Sequence, residues 1–298
     1  MGKIEITVLG TASMVPTKER NLTSVHISYE DKGILIDCGE GTQRQMKHAG
    51  IKPSKISKIL ISHWHGDHVL GIPGLLQTMG NSDYQKTLEI YGPKGTKNFM
   101  GHMLKGFYFD TPIDMKIIEV EDGINFENDS FMIEARTLSH GVPCVGYALI
   151  EKDIRKINKS KIEKMNLSGL VVGELQKGKE VIVEGKKISP NEVSHIQKGR
   201  KISYVFDTEI TDNAAVLSED AEVLLCEATY LSDLEEKGFE YKHMTAKQAA
   251  LLASNNNVGR LILCHFSQRY KTTEDLEREA QDIFPNTVCA YDLMKVRL

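Results

Sequence analysis

The sequence predicts an α/β protein whose reactive side chains gather at the ends of strands. Two observations carry this reading. Short apolar runs bounded by Gly, Pro or Asp alternate with segments of helical spacing, and three of the apolar runs lead into a histidine. Taken in order, strands are expected at 4–9, 24–29 and 33–38, then a short helix at 42–49. A strand at 58–62 follows, with a helix at 69–79 whose Leu70, Ile72, Leu75, Leu76 and Met79 recur at helical spacing. A strand at 88–91, a helix at 96–104 and strands at 115–120, 131–138 and 145–151 continue the alternation. Periodicity weakens over 152–200 and resumes with strands at 202–206, 223–226 and 261–264. Thr245 is expected to cap a helix at 246–254, and Thr272 a final amphipathic helix reaching position 283.

The strand at 58–62 opens into Ser62-His63-Trp64-His65-Gly66-Asp67-His68, four ligand-type residues within six positions. A strand end delivers His63 and His65 from alternate positions, and the turn through Gly66 brings Asp67 and His68 round, so one loop can feed two ions. Imidazole with carboxylate and no thiolate suits zinc, with manganese a possible substitute. Further ligands must come from elsewhere. His140 and His265 each stand at the end of an apolar run, as His63 does, and Asp207 ends the strand at 202–206. The expected division is His63, His65 and His140 on one ion, Asp67, His68 and His265 on the other, and Asp207 between them. Two such ions suit hydrolysis of a phosphoryl or acyl group, with Asp67 as general base. His243 could protonate a leaving alkoxide, with Glu227 orienting it through the other ring nitrogen.

Composition is ordinary for a globular protein, with 41% hydrophobic and 26% charged residues. No apolar run approaches a membrane span, and the first ten residues read as a strand, so we expect a cytoplasmic protein with no membrane partner. The five scattered cysteines form no CxxC pair, which disfavours both a disulfide framework and a cysteine zinc site. Net charge is −4, yet residues 151–201 carry 13 Lys and Arg against 7 Asp and Glu, a local excess of +6. Phosphate binding depends on local charge, so this stretch is a nucleic-acid candidate. We read 1–298 as a single domain, with 152–200 inserted in it as a basic arm bearing a small hairpin.

The His-x-His-x-Asp-His loop resembles the signature of the metallo-β-lactamase superfamily, and further motifs narrow the resemblance to the ribonuclease Z family. Pro16-Thr17-Lys18-Glu19-Arg20-Asn21 is similar to that family's PxKxRN loop, implicated in positioning substrate. Phe206-Asp207-Thr208 matches its aspartate motif, Glu227-Ala228-Thr229 its Glu-Ala-Thr loop, and His243-Met244-Thr245 its His-Ser-Thr loop. Cys226 and Met244 stand where the family often has His and Ser, and the stretch from Gly169 to Gly173 lacks its usual proline.

The resemblance implies a four-layer αβ/βα metallo-β-lactamase sandwich and a structural Asp37 that supports the metal loop. It also implies two Zn2+ per subunit and a homodimer in which one subunit's arm holds the precursor tRNA cut by the other. The implied reaction is endoribonuclease removal of the tRNA 3′ trailer after the discriminator base, leaving a 3′-hydroxyl. Lys18, Arg20, Asn21 and Thr245 are then the candidate substrate-binding residues. The rival reading is a small-molecule phosphodiesterase or other hydrolase of the metallo-β-lactamase fold, which shares every ligand but has no use for the basic arm or for Lys18 and Arg20.

Overall fold

The computed structural model describes residues 2–109 and 113–298. Its first half lays down strands β1 (Ile4–Gly10), β2 (Ser24–Tyr29), β3 (Lys32–Ile36), β4 (Ile56–Leu60), β5 (Leu88–Gly92) and β6 (Met115–Glu119). Then come β7 (Gly123–Glu127), β8 (Phe131–Ser139), β9 (Pro143–Glu151) and, within the lysine-rich stretch, β10 (Ile154–Ile157), β11 (Val181–Val183), β12 (Lys186–Ile188) and β13 (Ser194–Gln197). The chain finishes with β14 (Lys201–Val205), β15 (Val223–Glu227), β16 (Leu261–Cys264), β17 (Thr287–Cys289) and β18 (Lys295–Arg297). Among the described residues, two seven-stranded sheets result, ordered β18-β1-β2-β3-β4-β5-β6 and β17-β16-β15-β14-β9-β8-β7.

Strand alternation makes the layers. Ile4, Ile6 and Val8 of β1 meet Ile202 and Tyr204 of β14, Val223 and Leu225 of β15, and Ile262 of β16 in a core between the sheets. Residues of opposite parity face outward and are covered by helices. On the first sheet, Leu35, Ile59 and Ile90 pack under α1 (Thr42–Ala49), α3 (Ile72–Gly80) and α4 (Thr96–Lys105), which contribute Met46, Leu75, Met79 and Met100. On the second, Leu224, Cys226 and Leu263 pack under α8 (Asp212–Ser218), α10 (Ala246–Asn255) and α11 (Glu274–Gln281). The four-layer αβ/βα arrangement is as expected. Cys226 and Met244 both lie in that outer core, fully buried, so these two departures from the family motifs are matters of packing.

Four differences from the expected elements stand out. The helix at 69–79 is two pieces, α2 (Gly66–Val69) and α3, because the Gly71 N–H leaves the helix for the Cys38 carbonyl at 2.8 Å and Pro73 has no N–H to continue the ladder. The cap of α11 is Thr273, not Thr272, and it makes no side-chain capping bond. Strand β7, helix α8 and helix α9 (Glu235–Tyr241) occupy stretches that had no assignment. The inserted segment holds the expected hairpin, β11 with β12, but also α5 (Lys159–Lys164), α6 (Gly169–Gln176) and α7 (Pro190–Val193). It leaves and returns through the antiparallel pair β10 and β13, and Ile162, Leu167, Leu175, Ile188 and Val193 form an apolar cluster of its own.

The parallel runs β3-β4-β5-β6 and β14-β15-β16-β17 decide where the site lies. Strands that run the same way end on the same edge, so side chains just past their C-terminal ends are brought together. All five cysteines are buried and unpaired, and among the described residues no helix is long and apolar enough to cross a membrane.

Candidate metal centre

Asp37 follows β3, His63 follows β4, His140 follows β8, Asp207 follows β14 and His265 follows β16. Three of these residues, Asp37, Asp207 and His265, adopt left-handed backbone with φ of 55°, 52° and 59°. Non-glycine residues held there cost on the order of 1–3 kcal/mol each, and such strain clusters where side-chain direction is functional.

Among the described residues, beside a smaller group of Glu227, His243 and His265, two four-residue donor groups form: His63, His65, His140 and Asp207, and Asp67, His68, Asp207 and His265, with ligand atoms within 4.8 Å of one another in each. Asp207 belongs to both. Every sequence-predicted ligand is therefore brought to one place, in the expected division. The Nε2 atoms of His63, His68 and His265 and one oxygen each of Asp67 and Asp207 are buried there without a hydrogen-bond partner. Burying that many polar atoms unsatisfied would cost several kcal/mol, so their convergence fits a resident cation. Nitrogen and oxygen donors with no sulfur suit a divalent ion of the zinc or manganese kind.

The surroundings aim the ring nitrogens. Asp37 Oδ2 lies 2.7 Å from His68 Nδ1, Ser62 Oγ 3.1 Å from His63 Nδ1, the Lys242 carbonyl 3.2 Å from His140 Nδ1 and Thr229 Oγ1 3.0 Å from His265 Nδ1. With Nδ1 engaged, each Nε2 is left for the centre. Asp37 also accepts from Ser62 N at 2.7 Å, Ser62 Oγ at 2.8 Å and Tyr204 Oη at 2.7 Å. It supports the loop and is itself absent from both donor groups, as the resemblance implied.

Charge follows geometry. Burial pushes His63 and His140 down, leaving neutral imidazoles able to ligate. Burial also opposes charge on His68, but Asp207, Asp37 and Asp67 overcome it and raise its pKa. The three carboxylates thus pull positive charge into the centre, a pull that a cation answers as well as a proton does.

Glu227 is fully buried and accepts from Thr208 N at 2.6 Å and Thr229 Oγ1 at 2.7 Å. Its Oε2 lies 2.9 Å from His243 Nδ1. Burial disfavours the imidazolium, yet the Glu227 carboxylate outweighs it and pushes His243 up to about 9. The two residues meet as the sequence suggested.

The substrate-loop residues separate into different roles. Lys18 is exposed. Arg20 donates to the Tyr270 carbonyl and lies 5.9 Å from the Phe266 ring, while Asn21 gives its backbone N–H to Asp292 at 2.7 Å and its side-chain amide to the Glu40 carbonyl at 2.9 Å. Thr245 is buried, and its hydroxyl accepts from Gln248 N to cap α10. A cavity of about 390 Å³ opens over the ligands, and Ser13, Met14, Tyr230 and Tyr241 also line it. Sequence reasoning missed these four, and Ser62 and Tyr204 as supports. The Tyr204 bond to Asp37 spans 167 positions, and no local signal points to it.

Comparison with known proteins gives a consistent result. Ribonuclease Z of Methanothermobacter thermautotrophicus is 40% identical over 297 residues, covering 99% of this chain and 97% of that one. Ribonuclease Z of Bacillus subtilis is 39% identical over 304 residues, covering 99% of both. Among solved structures, the short form of human tRNase Z aligns with a TM-score of 0.71 at 26% identity over 98% of each chain. The Bacillus subtilis metallo-β-lactamase fold protein YhfI aligns with a TM-score of 0.73 at 19% identity over 100% of each, a likeness of fold. A family model described as Anti-Pycsar protein Apyc1 matches residues 4–122, less than half of the chain.

Proposed function

The chain belongs to the ribonuclease Z family of metallo-β-lactamase-fold endoribonucleases, and from that premise we propose how its residues process the 3′ end of precursor tRNA. It is a phosphodiester hydrolase acting on tRNA with divalent metal. The finer reading is two Zn2+ per subunit, Mn2+ able to replace them, and a single cut after the discriminator base that leaves a 3′-hydroxyl on the tRNA. The observation that carries it is the pair of donor groups sharing Asp207.

His63, His65 and His140 would hold one ion, Asp67, His68 and His265 the other, with Asp207 common to both. When bound, such ions neutralise charge on the phosphoryl oxygens and make water nucleophilic at neutral pH. The chain supplies the proton chemistry. Asp67, one oxygen of which accepts from Met14 N at 2.9 Å, would act as general base from the same carboxylate that helps to hold the ion. His243, with Nδ1 held by Glu227 and no hydrogen bond to Nε2 among the described residues, would protonate the departing 3′ oxygen from Nε2. Lys18 is the residue of its loop open to substrate phosphate, and Arg20 and Asn21 brace that loop. Thr245 acts by fixing the start of α10 beside His243.

The arm is read as the grip on the tRNA body. Lys156, Lys159, Lys164 and Lys186 on it are exposed and form no ion pair among the described residues. A homodimer, with one subunit's arm serving the other's metal centre, a single domain carrying that arm as an insertion, and a cytoplasmic location complete the proposal.

The test is to incubate the protein with zinc or manganese and a 3′-extended precursor tRNA and to map the product ends. A single cut directly after the discriminator, lost in His65→Ala, is the expected result. Cuts elsewhere, or turnover of a small phosphodiester alone, would move the reading to the small-molecule rival.

A further inference from the structure

The cavity over the metal ligands has two tyrosines on its wall, and they are placed differently. Tyr230 is 8% exposed, and the guanidinium of Arg269 lies 5.1 Å from its ring centroid. Its ring also meets His243 edge-on, with centroids 6.1 Å apart. Tyr230 is thus committed to packing. Tyr241 is 51% exposed, lines the same cavity, and stands at the C-terminal end of α9, two residues before His243. Lys237, one turn earlier, places its ammonium 5.8 Å from the Tyr241 ring. Met14, 63% exposed and anchored by its N–H on Asp67, lines the cavity from the loop after β1.

A half-exposed aromatic ring and a thioether at the mouth of a phosphodiester-cleaving pocket have an obvious chemical partner. The groups joined by the scissile phosphate are nucleosides, and bases in a single-stranded 3′ extension are free to stack on aromatic side chains. We propose that Tyr241, with Met14 lining the same cavity, is the stacking platform for the base of a nucleotide flanking the scissile phosphate, and that it positions that phosphate over the metal centre. This rests on the ribonuclease reading above and adds a positioning residue to it. The ring does no proton chemistry. Its contribution is to fix the nucleotide so that Asp67 and His243 meet the reacting atoms.

Removing the ring and removing the base should then be equivalent. The experiment compares precursor tRNA carrying all its bases with the same RNA made abasic on either side of the cut, for wild type, Tyr241→Ala, Tyr241→Trp and Phe239→Ala. Phe239 is 74% exposed on the same helix but does not line the cavity, and so controls for loss of a surface aromatic. Tyr241→Ala should lower kcat/KM about tenfold on the intact substrate and by less than about twofold on one abasic substrate, which itself is cut about tenfold more slowly by wild type. Tyr241→Trp should keep activity, and Phe239→Ala should match wild type. An equal loss on intact and abasic substrates, or none on either, would overturn the assignment while leaving the ribonuclease reading in place. Failure of wild type to cut the intact precursor would instead overturn that reading and this one together.

Discussion

At the strand ends, Asp37, Ser62, His68 and Tyr204 form one fully buried hydrogen-bond network, with side chains from both sheets. In the arm, Lys156, Lys159, Lys164 and Lys186 stand in solvent over a five-residue apolar cluster. The first region is determined from within: His63, His68, His140 and His265 each have one ring nitrogen held by a neighbour, which leaves the other for the shared centre. The second is determined from without, because exposed lysines acquire direction only from a partner, and a polyanion supplies it whatever its sequence. One region is built for position, the other for capture.

The strongest way to break this contrast is to remove the arm. Ile154 pairs with Gln197 across β10 and β13, so deleting 155–197 and joining the ends with a short Gly-Ser link leaves the sheets untouched. Cleavage of precursor tRNA should fall about 10³-fold, since several phosphate contacts go at once, while hydrolysis of a small phosphodiester stays within about twofold. Equal losses on both substrates would show that the arm supports the fold of the site instead.

A smaller effect is expected inside the centre. His243→Ala should lower kcat by about 10²- to 10³-fold on precursor tRNA with metal content unchanged, the range for losing a general acid. Normal turnover, or loss of bound metal measured by elemental analysis, would remove His243 from the proposed role.

The smallest effect separates a lone buried histidine from the converging ones. His26 on β2 is buried with Nε2 unpartnered, and burial pushes its pKa down to about 4. Its neutral form is the one the fold favours. Stability from His26 is therefore complete above the unfolded value near 6.5 and is lost as pH falls from there towards 4, by about 2–3 kcal/mol. Urea unfolding at pH 7 and pH 4.5 should show that drop, and His26→Gln should flatten it. An unchanged slope in the variant would mean that the acid sensitivity lies elsewhere.

What could be read in the sequence follows the same division. The candidate ligands were legible because metal chemistry restricts residue type and strand ends restrict place, so His140, Asp207 and His265 were singled out although far from the first loop, and the structure brings them together. The arm was legible as charge and much less so as structure. Val171, Val172, Val181, Ile182 and Val183 are β-branched and suggest strand throughout, yet the first two fall in α6. In so small a unit tertiary packing overrides propensity. The roles of Arg20 and Asn21 were hidden for another reason: their partners Tyr270 and Asp292 lie 250 and 271 positions away. Composition of a loop says that it is polar, not which of its residues are already engaged.

The donor set is also divided between the sheets. His63, His65, Asp67 and His68 follow a strand of the first, and His140, Asp207 and His265 follow strands of the second. An ion held by both halves acts as a clasp across the sandwich. Its release would then call for the two sheet edges to part, which would tie the rate to the breathing of the protein.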